Sequence, residues 1–384
     1  MARIEFFRHD LGSAELQSIA EVLAGPILTT GETVARFEQR FADYLGRGHA
    51  LGVTSCTAAL HMSLLALGVG DGDEVITTPM TFAATATAIL EAGARPVFVD
   101  VEPDTGLIDT ARVEAAVTPR TRAIIPVHLY GQMCDMRALR DIADRNRLFI
   151  VEDAAHCVEA VRDGVRPGQL GDTACFSFYA TKNLTCGEGG AVVTDDAQLA
   201  DRLRLLRLHG VTKTAADRHR EGYSHWDMVA MGWKYNMDNI QAALLLPQMD
   251  RLDDNLRKRD VIARHYESLL AGVRNLRVPR TVPDSRHARH LFIVWIEGGQ
   301  RDSVMRTLQE EGIAAMVNYR AVHLLTYFRE TFGFKPGDFP VAERLGDAAL
   351  SLPFYPNLPT PDIEEVARVL GSILGTRPCP DFTG

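Results

Sequence analysis

The sequence predicts an α/β fold: a mainly parallel central sheet flanked by helices, with a smaller C-terminal α+β domain. Three observations carry this. From about residue 50 to 200, short β-branched runs alternate with helical patterns. Those runs are apolar on both faces, as strands buried in a parallel sheet must be. Beyond about residue 200 the alternation gives way to long helical passages and then a strand–helix–strand series.

Taken in order, "ALGVTS" (50–55) reads as a strand and "TAALHMSLLALG" (57–68) as a helix stopped by Gly68. "DEVITTP" (73–79) is a strand, and "TFAATATAILEAG" (81–93) a helix again closed by glycine. Further strands follow at 95–101, 122–131, 147–153, 174–180 and 189–196. "DAQLADRLRLLRLHG" (196–210) is an amphipathic helix, and the polar stretch 212–226 reads as a long loop. A long helical passage from residue 237 is expected to break near Pro247. A strand at 290–298, a helix at 301–312, a strand at 313–319 and a last helix at 361–375 complete the chain. The expected domains are 1–250, large, and 251–384, small.

Bulk properties narrow the function. With 384 residues, 46% hydrophobic and 24% charged, the chain has material for a full core and no disorder signature. A net charge of −9 without a basic run argues against nucleic acid or an anionic membrane as partner. No run of about 18 apolar residues occurs, and the start has no signal-peptide pattern, so a soluble cytoplasmic protein is expected. The six cysteines lack paired zinc-ligand spacing, so they read as reduced apolar residues and no metal site is expected.

Chemistry-bearing residues collect at strand ends, where an open α/β sheet places its ligands. Asp153 ends the apolar run "LFIVED", although a helix N-cap also uses aspartate there. Lys182 follows "FSFYAT" and precedes a glycine cluster, unlike an ordinary surface lysine. In "TSCTAALHMSL", Ser55, Thr57 and the amide of Ala58 stand between strand and helix, where a phosphate binds. Ser177 adds a hydroxyl five residues before the lysine. A phosphate cradle, a confined lysine and a strand-end carboxylate suit pyridoxal 5'-phosphate (PLP): Schiff base to the lysine amine, carboxylate to the pyridinium nitrogen. Burial would lower the lysine from its ordinary pKa of about 10.4 and make it a nucleophile.

"EDAAH" (152–156) and "GDTACFSFYATKNLTCGEGGAVVTDD" (171–196) resemble the DegT-type nucleotide-sugar aminotransferases, which are fold-type I PLP enzymes with the aspartate-aminotransferase-like fold. "GETVARFEQRFADYLG", "SCTAALHMSLLALGVGDGDEVITTPMTF", "PVHLYGQMCDM", "LRLLRLHG", "HLFIV" and "HLLTYFRE" continue the likeness in order over nearly the whole chain. The resemblance implies that Lys182 carries the Schiff base and shuttles the proton, and that Asp153 pairs with the pyridinium. It also implies that Phe82 stacks on the ring, and that Thr57, Ala58 and Ser177 bind the phosphate. His156 stands where many members carry Gln facing the ring's phenolic oxygen; a satisfied structural histidine is the competing reading. Tyr319 and His323 lie where relatives border the sugar, or else pack the domains together.

One segment departs from the pattern. Many members read G-Y-N-Y-R-M where this chain reads "GWKYNM" (232–237), putting Lys234 and Asn236 in place of the usual Asn and Arg. The implied homodimer would share its active sites through these residues, with lysine meeting phosphate as a point charge. In places the chain resembles the branch making UDP-4-amino-4-deoxy-L-arabinose. The implied reaction moves an amino group from glutamate to the keto group of a nucleotide-linked 4-keto sugar. A cyclitol or other small ketone as acceptor, and a non-enzymatic regulator on the same fold, are the alternatives; the retained Lys182 and Asp153 count against the regulator.

Overall fold

The computed structural model describes residues 3–213 and 225–376. Most of the expected loop 212–226 therefore lies outside the described residues, as does Cys379. Seven strands form the main sheet: β1 (His49–Val53), β2 (Glu74–Thr77), β3 (Arg95–Phe98), β4 (Thr121–Ile124), β5 (Phe149–Asp153), β7 (Thr173–Ser177) and β8 (Gly190–Thr194). β6 (Val161–Arg162) pairs elsewhere, in a two-stranded ribbon with β10 (Ser285–Arg286). The order across the main sheet is β1-β8-β7-β5-β4-β2-β3. Neighbours from β7 to β3 are parallel, whereas β8 runs antiparallel to both β1 and β7. β1 thus points the same way as β7, and six strands end on one edge.

Side chains alternate across these strands, as the pleat requires. Ile76, Ile124, Ile150, Phe176 and Val193 join one core cluster, and Val75, Ala123, Val151, Cys175 and Val192 the other. After helix α1 (Ser13–Ala24), the first layer holds helix α2 (Glu32–Leu45), whose Phe37 and Phe41 meet Phe178 and Phe176 edge-on at 5.4 and 5.0 Å. The second holds helix α3 (Cys56–Ala66), buried almost all round, which explains its lack of a polar face. All five described cysteines are buried free thiols.

In the C-terminal part, β9 (Leu276–Arg277), β11 (Phe292–Ile296) and β12 (Ala349–Leu352) form an antiparallel sheet. It packs with the helices Leu252–Leu270, Arg301–Glu310 and Thr360–Leu374. Ile4 joins this second core and bridges to Ile313, so the chain's start packs with its last third. The expected break near Pro247 falls later. Pro247 sits inside the helix Asn239–Met249, and the chain turns only at Asp250–Arg251. Proline forfeits its own N–H and crowds the carbonyl four residues back, so its cost falls on the turn before it and the residues just after it can stay helical.

The strand expected at 313–319 does not form. Ile313 bridges Ile4 and Met316 bridges Ser351, single contacts with different partners. Asn318 is then held by side chains: its Oδ1 accepts from Ser351 Oγ at 2.7 Å, and its carbonyl from Tyr130 Oη at 2.7 Å. Among the described residues no helix is long and apolar enough to cross a membrane.

Candidate active site

The carboxyl ends of β1, β2, β4, β5 and β7 converge on a cavity of about 540 Å³, within the range of small-molecule sites. Lys182, Asp153, His156, Ser177, Thr57, Phe82 and Tyr319 all line it. The structure thus brings together seven of the residues that the sequence singled out from five separate segments.

Lys182 follows β7 in a tight turn, its amide donating to the Tyr179 carbonyl at 2.9 Å. Alternation along β7 sends Phe176 and Phe178 into the core and leaves Ser177 on the cavity side. Burial pushes the Lys182 amine down from 10.5 to about 8. The nearby glycines serve chain packing first. A Cβ on Gly190 would lie 2.5 Å from the Ser55 carbonyl carbon and 2.6 Å from the Cys56 nitrogen, so only glycine lets β8 pass the start of α3.

Asp153 is buried at the end of β5. Its Oδ2 accepts from Thr85 Oγ1 at 2.7 Å and its Oδ1 from the Ala155 amide at 3.2 Å. Thr85, in the first turn of helix α4 (Ala83–Glu91), also bonds Thr81 at 2.7 Å. Burial nonetheless holds the carboxyl above its ordinary pKa. Among the described residues no cation lies within ion-pair distance of it.

At the start of α3, Ser55 is the N-cap and its Oγ accepts from the Ala58 amide at 3.1 Å. That amide is therefore already engaged, while the first-turn amides of Cys56 and Thr57 have no partner inside the helix. Ser177 Oγ accepts from the Tyr179 amide at 3.4 Å, leaving its own O–H free to donate. Phe82 caps α4 and is 62% exposed, its ring facing the cavity 5.8 Å from that of Tyr319. It is not a core aromatic.

His156 has a defined tautomer. The Tyr130 amide donates to its Nδ1 at 3.1 Å, so the proton of the neutral ring sits on Nε2, 3.2 Å from Tyr319 Oη. Burial and the Lys182 charge hold the ring neutral. Tyr130 reaches it from the left-handed region at φ 62°, a costly place for a bulky residue and a common one beside active sites.

Four expected residues lie off the cavity wall, the first being Ala58, which is buried in α3. His323 is fully buried against Glu343 at 3.0 Å, among Phe334 and Phe339, and does not reach the cavity. It packs the fold instead. Lys234 and Asn236 also lie off the cavity; Lys234 Nζ bonds Asn236 Oδ1 and Asn236 Nδ2 bonds Thr30 Oγ1, each at 2.6 Å. Conversely, sequence reasoning missed Thr85 and His290, whose Nε2 stands 3.5 Å from Lys182 Nζ. Its only sequence signal is a histidine opening the apolar run "HLFIV".

The donor set fits PLP. A buried carboxylate without a cation suits a pyridinium N–H, and free hydroxyls with helix-start amides suit a phosphate. An exposed aromatic ring and a neutral Nε2–H suit the ring face and its phenolic oxygen. Fold and site together define a fold-type I PLP-dependent transaminase.

The profile of the DegT/DnrJ/EryC1/StrS aminotransferase family matches residues 9–371, and the chain belongs to that family. It is 42% identical over 370 residues to the spore coat polysaccharide biosynthesis protein SpsC of Bacillus subtilis (strain 168), covering 95% of each chain. The crystal structure of S. venezuelae DesV is 38% identical, with a TM-score of 0.90 over 98% of this chain and 100% of that one. Spr1654 of Streptococcus pneumoniae, solved in a PLP form, is 30% identical with a TM-score of 0.90 over 96% and 98%. The protein is accordingly a PLP-dependent aminotransferase, not a non-enzymatic regulator.

Proposed function

We propose that the enzyme moves the amino group of glutamate to the keto carbon of a nucleotide-linked sugar, at ring position 4. The observation that carries the transamination is the placement of Lys182, its amine lowered to about 8, in the cavity that Asp153 also lines; glutamate, the nucleotide-linked sugar and the ring position rest on the resemblance of the sequence to its family. Bound PLP would supply an aldehyde that condenses with amines and a ring that stores an electron pair. The protein would supply everything else. Lys182 Nζ, partly neutral near neutral pH, is both the attachment point and the group that takes and returns the substrate proton. Asp153 holds positive charge at the ring nitrogen. Thr57 and Ser177 take the phosphate, joined by the Ala58 amide once it turns from Ser55 Oγ, Phe82 takes the ring face, and His156 Nε2–H the phenolic oxygen.

Lys234 and Asn236 are proposed to act from the partner subunit of a homodimer, because neither reaches its own chain's cavity. Tyr319, beside His156 on the cavity wall, is proposed to border the sugar. The chain is taken to work in the cytoplasm, where nucleotide sugars are made.

The test is to convert the PLP-loaded protein to its pyridoxamine form with glutamate, then offer keto-sugar nucleotides and cyclitol ketones separately. Return of the aldehyde absorbance with a 4-keto nucleotide sugar is expected. Return only with a cyclitol ketone would overturn the substrate reading, and Lys182→Ala should abolish the conversion.

A further inference from the structure

His290 has no place in the mechanism above, yet the structure sets it against the reacting amine. The order of protons around it follows from a relay that begins at a buried ion pair. Arg259, 3% exposed, bonds Glu159, which is fully buried. Asn183 Nδ2 lies 3.1 and 3.0 Å from the two Glu159 carboxylate oxygens and 2.8 Å from the Ala288 carbonyl. Those partners accept, so the amide NH2 faces them and the amide oxygen faces the other way. That oxygen, Oδ1, stands 3.3 Å from His290 Nδ1. It too can only accept, so Nδ1 carries the proton.

Burial and the neighbouring Lys182 charge keep the His290 ring neutral. Nε2 then bears only a lone pair, and it is this atom that lies 3.5 Å from Lys182 Nζ, at the outer edge of hydrogen-bond range. With the opposite tautomer, Nε2–H would donate into the amine lone pair that the reaction uses.

We propose that His290 is a positioning residue for Lys182: its Nε2 takes one N–H of the free amine, and the relay Asn183–Glu159–Arg259 fixes the tautomer that makes it an acceptor. The amine so held keeps its lone pair toward the cavity. This rests on reading Lys182 as the PLP lysine. The other ionisable groups facing the pair are Cys56, Asp153, His156, Cys157, Arg259 and His287.

The test follows capture of PLP by the cofactor-free protein, read as growth of the Schiff-base absorbance against pH. His290→Phe keeps a ring but no acceptor, and His290→Gln restores one. Loss of the acceptor removes stabilisation of the ammonium, so the capture midpoint of His290→Phe should fall by about one pH unit. Its limiting rate at high pH should fall about tenfold, since the amine is no longer aimed. His290→Gln should return the midpoint to within a few tenths of a unit of wild type. Wild-type midpoint and rate in a folded His290→Phe would overturn the proposal. Should that variant not fold, neutron diffraction of the wild-type protein decides: deuterium on His290 Nδ1 alone supports it, and deuterium on Nε2 overturns it. If the wild-type protein forms no Schiff-base absorbance at all, the cofactor reading fails and this proposal falls with it.

Discussion

A lysine amine in a largely apolar recess carries a cost that depends on pH. The Lys182 amine ionises at about 8 in the fold against 10.5 ordinarily. Below pH 8 it is protonated in both folded and unfolded chains, and the fold bears the full cost of desolvating the ammonium. Between 8 and 10.5 the unfolded chain binds more protons, so stability rises with pH. Lys182→Met, without cofactor, should therefore be more stable than wild type at neutral pH by on the order of 3 kcal/mol. The difference should vanish by about pH 10.5; urea unfolding at several pH values checks it, and a pH-independent difference would contradict the shift. Asp153 carries a related cost, since burial holds its carboxyl above the ordinary range although Lys182 and His128 pull it down. Asp153→Ala should leave the protein folded but weaken PLP retention on dialysis by roughly tenfold or more, the scale of one lost charged contact.

At the scale of elements, the parallel strands deliver the chemistry and one long helix braces it. Arg259, on the helix Leu252–Leu270, reaches Glu159, which follows β5. Breaking such a pair leaves a buried charge without its partner, worth about 3–5 kcal/mol. Arg259→Met should lose about that much in urea unfolding. The double variant Glu159→Gln with Arg259→Met should recover most of it, because no charge is then left unpaired. Failure to recover would mean that packing of the Arg259 stem, not its charge, is what matters. The strands themselves were legible in the sequence because most are short apolar runs buried on both faces. The segment 313–319 misled for the same reason: it is apolar enough for a strand, but its partners are single residues on different elements.

For the whole molecule, the assembly prediction concerns Lys234 and Asn236, which lie outside their own chain's cavity. If the partner subunit's phosphate site uses Lys234, Lys234→Ala should weaken PLP retention several-fold while the helical signal and melting of the PLP-free protein stay unchanged. Equal PLP affinity in variant and wild type would remove Lys234 from the site, and sedimentation of the wild-type protein as a monomer would remove the shared-site arrangement.

What the sequence determined by itself was the fold class and the residues that punctuate strand ends: Lys182, Asp153, Ser177 and Thr57. Local pattern is enough for these, since an apolar run ending in a functional side chain is visible in a few consecutive residues. Tertiary structure alone decided what those residues meet. Thr85 bonds Asp153 across 68 positions of sequence, and His290 approaches Lys182 across 108. It also removed His323 from the site, because a histidine that finds Glu343 beneath a layer of phenylalanines has its hydrogen bond inside the fold. Spacing along a chain cannot report such pairs; they exist only because segments far apart in sequence close on the same edge of one sheet.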